Sequence, residues 1–153
     1  MIQKSDIPTR ALKYSHSENI ISFTQKTRTY TAHNKENKQI LGFWVDGGLV
    51  TSTDTRKCDC ALVVENDLCY LIELKGASVD EACEQLRITL EYFKETYQMQ
   101  KFVGRIVVSR FNSHKIQSEK YRLLERKLKM IQKSYAITKK TLDISEGKTP
   151  DVI

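Results

Sequence analysis

Apolar positions recur along this chain with two spacings, alternate residues in some stretches and every third or fourth in others, and the switches between them mark out the elements. Residues 8–23 are mixed: Leu12, Ile20, Ile21 and Phe23 are spaced for one or two helical pieces, with Tyr14-Ser15-His16-Ser17 as an interruption. After a polar stretch, residues 39–45 are rich in aromatic and β-branched side chains and stop at Asp46-Gly47-Gly48, which predicts a strand closed by a turn. Two further apolar runs, 58–64 and 69–75, are separated by Glu65-Asn66-Asp67-Leu68 and predict a β-hairpin.

The spacing then changes. Gly76 breaks the strand, and Ser78-x-x-Glu81 is a capping box that can satisfy the first free amides of a helix over 79–97. Val79, Ala82, Leu86, Leu90, Phe93 and Tyr97 form its apolar stripe. Residues 102–109 are the strand richest in β-branched side chains and should be central. A second amphipathic helix is expected over 118–133, with Tyr121, Leu124, Leu128 and Ile131 inward and its Lys and Arg outward. Residues 134–138 supply a possible edge strand, and the tail from about 142 has no period and is expected to be loose. Short turns favour antiparallel pairing of the early strands, whereas the crossover helix before Phe102 requires a parallel return. The expected result is a mixed sheet flanked by helices in a single domain over 1–153.

Composition narrows the class. A chain of 153 residues that is 40% hydrophobic and 29% charged can bury a core of its own, and no stretch approaches the roughly 20 apolar residues of a membrane span. The polar start Met1-Ile2-Gln3-Lys4-Ser5-Asp6 lacks the apolar segment of a secretory signal, so a cytoplasmic location is expected. Cys58, Cys60, Cys69 and Cys83 crowd together, but Cys58-x-Cys60 on a strand would point both thiols to one face with little room for a zinc ion. Reduced, packing cysteines are the expectation, ahead of a metal cluster or disulfides.

The net charge of +6 is unevenly spread: +4 over residues 1–40, −6 over 41–97, +10 over 98–140 and −2 beyond. An acidic centre suits a divalent cation and a basic rim suits a polyanion such as a nucleic-acid backbone, although basic helix faces also serve simple solubility.

Within the acidic centre, Glu73 and Lys75 are two apart on one strand and share a face, where neither suits a core. Asp59 joins them only if residues of equal parity face each other across the hairpin. That requires a three-residue loop, Glu65-Asn66-Asp67 or Asn66-Asp67-Leu68, because a two-residue turn would put Asp59 on the other face. With the right register, Asp59 and Glu73 converge where Mg²⁺, or Mn²⁺ in its place, can be held by carboxylates, water and a substrate phosphate. Lys75 would orient the attacking water or offset charge on phosphorus. Its plainer alternative is a salt bridge at a strand end.

Asp59 on one strand, Glu73-Leu74-Lys75 closing the next, then Gly76 and a capped helix together resemble the PD-(D/E)XK nuclease superfamily, over roughly residues 20–109. Cys58 stands where the family motif has proline. The resemblance implies an α/β (α+β mixed-sheet) fold with a restriction-endonuclease-like αβββαβ core, three layers α/β/α, and here an extra C-terminal helix. It implies Asp59, Glu73 and Lys75 as catalytic residues, with Asp59 and Glu73 as metal ligands and the Leu74 carbonyl as a third. Relatives of the resolvase type carry a helical acidic residue where Glu18 lies, and often a polar residue where Gln85 lies. Asp46, ending a strand, either serves its turn or approaches the metal.

Arg105, Arg110, Lys115, Arg126 and Lys127 are candidates for phosphate-backbone contacts. His16, His33 and His114 have no metal-binding spacing and are expected at the surface. The expected function is an Mg²⁺-dependent endonuclease acting on nucleic acid, DNA above RNA, in a structure-selective or partner-directed way, as a possible homodimer or with a guiding protein partner. The alternative is a catalytically inactive nuclease-fold subunit that binds nucleic acid or serves a structural role in a larger complex.

Overall fold

The computed structural model describes residues 1–53, 56–75, 78–109, 118–146 and 150–153, without the side chain of Lys75. A short 3-10 turn at Lys4–Asp6 leads into β1 (Leu12–Tyr14), β2 (Ile20–Gln25), β3 (Arg28–His33), β4 (Ile40–Trp44), β5 (Cys60–Val64) and β6 (Leu68–Lys75). Helix α1 (Val79–Tyr97), β7 (Lys101–Val108), helix α2 (Glu119–Tyr135), β8 (Leu142–Ser145) and β9 (Asp151–Val152) complete the described elements.

Six strands form the main sheet in the order β1-β4-β5-β6-β7-β8. β4, β5 and β6 are an antiparallel meander. β7 then returns parallel to β6, as a crossover through α1 demands, and β8 is parallel to β7. This is the mixed sheet expected from the order strand, strand, strand, helix, strand. β7 lies inside it, one strand from the edge, with Phe102–Val108 all buried.

Both helices begin where their caps place them. Ser78 Oγ accepts the Glu81 amide and Ser118 Oγ accepts the Tyr121 amide, each satisfying one otherwise orphaned donor of a first turn. The apolar stripe of α1 is buried at Val79, Ala82, Leu86, Leu90 and Phe93, and α2 buries Leu124 and Leu128. These side chains pack on one face of the main sheet with Ala61, Val63, Leu71, Phe102 and Ile106.

The opposite face differs from expectation. No helix forms over residues 8–23; β2 and β3 make an antiparallel hairpin there and β9 joins β3 in parallel, giving a second, three-stranded sheet. Ile21, Phe23, Tyr30 and Ala32 of that sheet pack on Cys60, Leu62, Tyr70 and Ile72 of the main sheet. The layers are therefore α/β/β and not α/β/α. Alternation supplies the reason: Ile21 and Phe23 point in while Thr24, Thr29 and Thr31 favour extended backbone, and period two wins over the looser helical spacing.

The C-terminal region also departs from expectation. Residues 134–138 are not a strand, because α2 continues to Tyr135 and stops at Ala136, a left-handed cap whose amide bonds the Gln132 carbonyl. The edge strand comes later, at Leu142–Ser145, inside the segment expected to be loose. Among the described residues no helix is long and apolar enough to cross a membrane.

The turn after β4 is tightly built. A methyl group on Gly48 would meet the Trp44 carbonyl oxygen at 2.5 Å and Ala11 Cβ at 2.8 Å. Backbone cannot yield as a side-chain tip can, so Gly48→Ala should destabilise the protein by about 1–3 kcal/mol, measured as a lower urea midpoint with unchanged slope.

Candidate functional site

Val64 pairs with Leu68 and Cys60 with Ile72, so Glu65-Asn66-Asp67 is a three-residue loop, and Asp59 and Glu73 are the residues next beyond the last pair. This is the register on which the candidate site depends. Glu65 and Asn66 both adopt positive φ, 53° each, which lets three residues reverse the chain. Along β5 and β6, Ala61, Val63, Cys69 and Leu71 face the helices. Glu73 continues the row of Cys69 and Leu71 on β6, which puts it on the helical side, while Asp59 sits in the bend just before β5 and meets it through hydrogen bonds.

Both carboxylates are nearly enclosed: Asp59 is 9% exposed and Glu73 2%. They interlock through main chain. Glu73 Oε2 accepts the Asp59 amide at 3.1 Å, and Asp59 Oδ2 accepts the Leu74 amide at 2.7 Å. Each acid thus fixes the backbone that carries the other. Gln85, with its amide nitrogen turned toward acceptors, donates to Glu73 Oε1 at 3.3 Å and to the Glu81 carbonyl at 3.2 Å. Gln85, a position offered by the resemblance, is thus in contact with Glu73.

One turn further along α1, buried Thr89 ties the helix to the segment before β5. Its hydroxyl accepts the Cys58 amide and donates to the Gln85 carbonyl, both at 2.8 Å. Thr89 was not among the sequence candidates. Its position three residues after Leu86 on the inward stripe was the available signal, since a threonine there must find a partner.

The remaining candidates separate. Asp46 flanks the cluster through its main chain, its amide bonding the Cys58 carbonyl, but its side chain is exposed and it belongs to the turn bridged from Asp46 to Val50. Glu18 is not helical and does not approach the acids: neighbouring His16 bonds Ile40 at the start of β4, whereas Asp59 lies beyond Trp44 at its end, about 13 Å away along the strand. The main chain of Lys75 occupies the last position of β6.

Arg105 is not a surface phosphate contact. It is 4% exposed, sits over the Tyr70 ring, pairs with Asp151 at 2.6 Å and donates to the Gly104 and Lys140 carbonyls. A cation in a strand buried on both faces has to be paired internally. Lys127 is held by Glu91 of α1, while Arg126 is exposed. Arg110, Lys115 and His114 lie outside the described residues. His16 is exposed and His33 half-buried in β3.

The four cysteines are free and buried, but Cys58 and Cys60 do not share a face: Cys58 packs with the helices and Cys60 with the second sheet. The strand begins only at Cys60, so alternation does not reach back to Cys58. Burial pushes both thiols well up, with the Glu73 carboxylate adding to the effect on Cys58, and Cys83 is pushed up to about 12. Raised thiol pKa values keep these groups protonated at neutral pH. Native protein at pH 8 should give almost no fast reaction with an aromatic disulfide reagent, and four thiols after denaturation.

Arg28 enters the site without any sequence warning. From the start of β3 its Nε donates to the Leu74 carbonyl at 3.1 Å and its Nη1 to Ser109 Oγ at 3.2 Å. The carbonyl that the resemblance offered as a metal ligand already accepts from a guanidinium.

Asp59 and Glu73 offer hard oxygen donors, which suit a divalent cation. Among the described residues no group of three or more His, Cys, Asp or Glu could hold a metal, so water and substrate would have to complete the coordination.

No protein-family model, curated protein or solved structure matches the chain.

Proposed function

We propose that this protein is a metal-dependent nuclease of the PD-(D/E)XK type, hydrolysing phosphodiester bonds of nucleic acid. The observation that carries the reading is the pair of acids Asp59 and Glu73, buried and interlocked just beyond the last registered pair of the three-residue-loop hairpin. A three-strand meander, a crossover helix and a parallel fourth strand support it, while the β2–β3 hairpin stands where an αβββαβ core would begin with a helix.

In this reading Asp59 and Glu73 hold Mg²⁺ or Mn²⁺, which supplies Lewis acidity toward the phosphate and a more acidic attacking water. Gln85 orients the Glu73 carboxylate. Lys75, whose role rests on its place in the motif, steadies the water or the charge on phosphorus. Exposed Arg126 is a phosphate contact outside the centre. DNA is the favoured substrate, with selection by structure or by a guiding partner, and a homodimer would bring two centres to two strands.

One observation favours the rival reading of an inactive, nucleic-acid-binding subunit: Arg28 occupies the Leu74 carbonyl. Incubation with labelled linear, single-stranded and four-way-junction DNA in Mg²⁺ or Mn²⁺, beside Lys75→Ala, separates the two. Metal-dependent cutting that falls at least a hundredfold in the variant supports the nuclease. Binding without any metal-dependent product supports the rival.

A further inference from the structure

We propose that Arg28 is the phosphate-holding residue of the Asp59/Glu73 centre, so that the second sheet is part of the site and not only a cover for the core. The inference rests on the nuclease reading for the identity of its ligand, a phosphodiester of the bound strand.

Three observations carry it. Arg28 starts β3, on the far face of the main sheet, yet its side chain reaches the ends of both β6 and β7 through Leu74 and Ser109. Leu74 is flanked on both of its polar groups: its amide donates to Asp59 and its carbonyl accepts from Arg28. One residue of main chain therefore separates a buried acid from a guanidinium.

Arg28 is also only half-buried, and among the described residues it enters no ion pair. Among the described residues two of the guanidinium's five N–H donors are used, both on neutral acceptors, which leaves three donors and the full positive charge. A fork of that kind, fixed at two points, matches the non-bridging oxygens of a phosphate better than a lysine does. An acid pair for a cation beside a cation for an anion would divide the charge of a metal-bound phosphodiester between them.

A purely structural pin between the two sheets is the competing role, and salt dependence distinguishes them. Loss of one phosphate contact lowers the slope of log affinity against log salt by about one on duplex DNA, and loss of a packing contact leaves it unchanged. The experiment measures that slope for full-length protein in a Glu73→Gln background, which removes cutting, with and without Arg28→Met, which keeps the side-chain stem. Arg28→Lys, which keeps the charge, is the second variant and covers the case in which Arg28→Met does not fold.

The expected result is a slope lower by about one in Arg28→Met and retained in Arg28→Lys. With Glu73 intact, kcat/KM should fall at least thirtyfold in Arg28→Met and be partly restored in Arg28→Lys, whose ammonium lacks the fork. An unchanged slope, with cleavage unchanged in Arg28→Lys as well, overturns the assignment and leaves the nuclease reading standing. Failure of the nuclease reading appears separately, as a wild type that cuts no better than Glu73→Gln, and the slope still reports on Arg28 because it needs no cleavage.

Discussion

Replacing Glu73 with Gln should leave the fold standing and lower phosphodiester cleavage by on the order of a thousandfold, the rate equivalent of several kcal/mol of lost metal-centred stabilisation. Gln has nearly the same shape and keeps an oxygen that can accept the Asp59 amide, which Glu73 now accepts at 3.1 Å. What it removes is one of two negative charges that would hold the cation. A second readout avoids activity altogether. A ligand bound only by the folded state at ten times its dissociation constant stabilises it by about 1.4 kcal/mol, so Mg²⁺ should raise the melting temperature of wild type and not of Glu73→Gln. Equal products and equal metal response from the two proteins would remove Glu73 from the centre.

Arg105→Ala should be the most destabilising single change away from the site, by about 3 kcal/mol. The guanidinium is 4% exposed and Asp151 is 25% exposed, so the pair is shielded on one side and partly wet on the other, which keeps the cost near the low end for a broken buried pair. Truncation also leaves the Gly104 and Lys140 carbonyls without their donor and empties the space over Tyr70. The Tyr30 hydroxyl still bonds Asp151, so β9 should loosen rather than detach. Urea unfolding measures the loss. The double change Arg105→Met with Asp151→Asn should recover part of it, because an apolar stem and a neutral amide need no charge partner; no recovery would mean that the pair is not the source of the stability.

Legibility in the sequence followed burial. The hairpin of β5 and β6 and α1 with its cap could be read because several independent signals agreed at each, whereas the length of the hairpin loop was left open between two and three residues. The meeting of Asp59 with Glu73 followed once the loop was three residues long. The N-terminal hairpin was missed because Ile20, Ile21 and Phe23 fit a helical spacing as well as a strand, and the threonines that favour extended backbone fell just beyond. Arg105 was misjudged because its charge was weighed apart from its neighbours: Phe102, Val103, Ile106, Val107 and Val108 form a run buried on both faces, where a cation belongs to an internal pair. Arg28 had no signal at all. Its reach to Leu74 depends on two sheets stacking, a relation that no local pattern records.

The pairing of β3 with β9 bears on how the chain acquires its shape. Tyr30 and Asp151 are 121 positions apart, so the second sheet is completed by a contact that must wait until nearly all the described chain is available. Until then the inner face of the β2–β3 hairpin, with Ile21 and Phe23, has the main sheet to rest on but no third strand beside Ala32. Closing so long a loop late makes this layer slow to form, and during synthesis it exposes an unpaired strand edge that other chains could join. Refolding at high protein concentration should therefore lose yield through this edge before the helical face is affected.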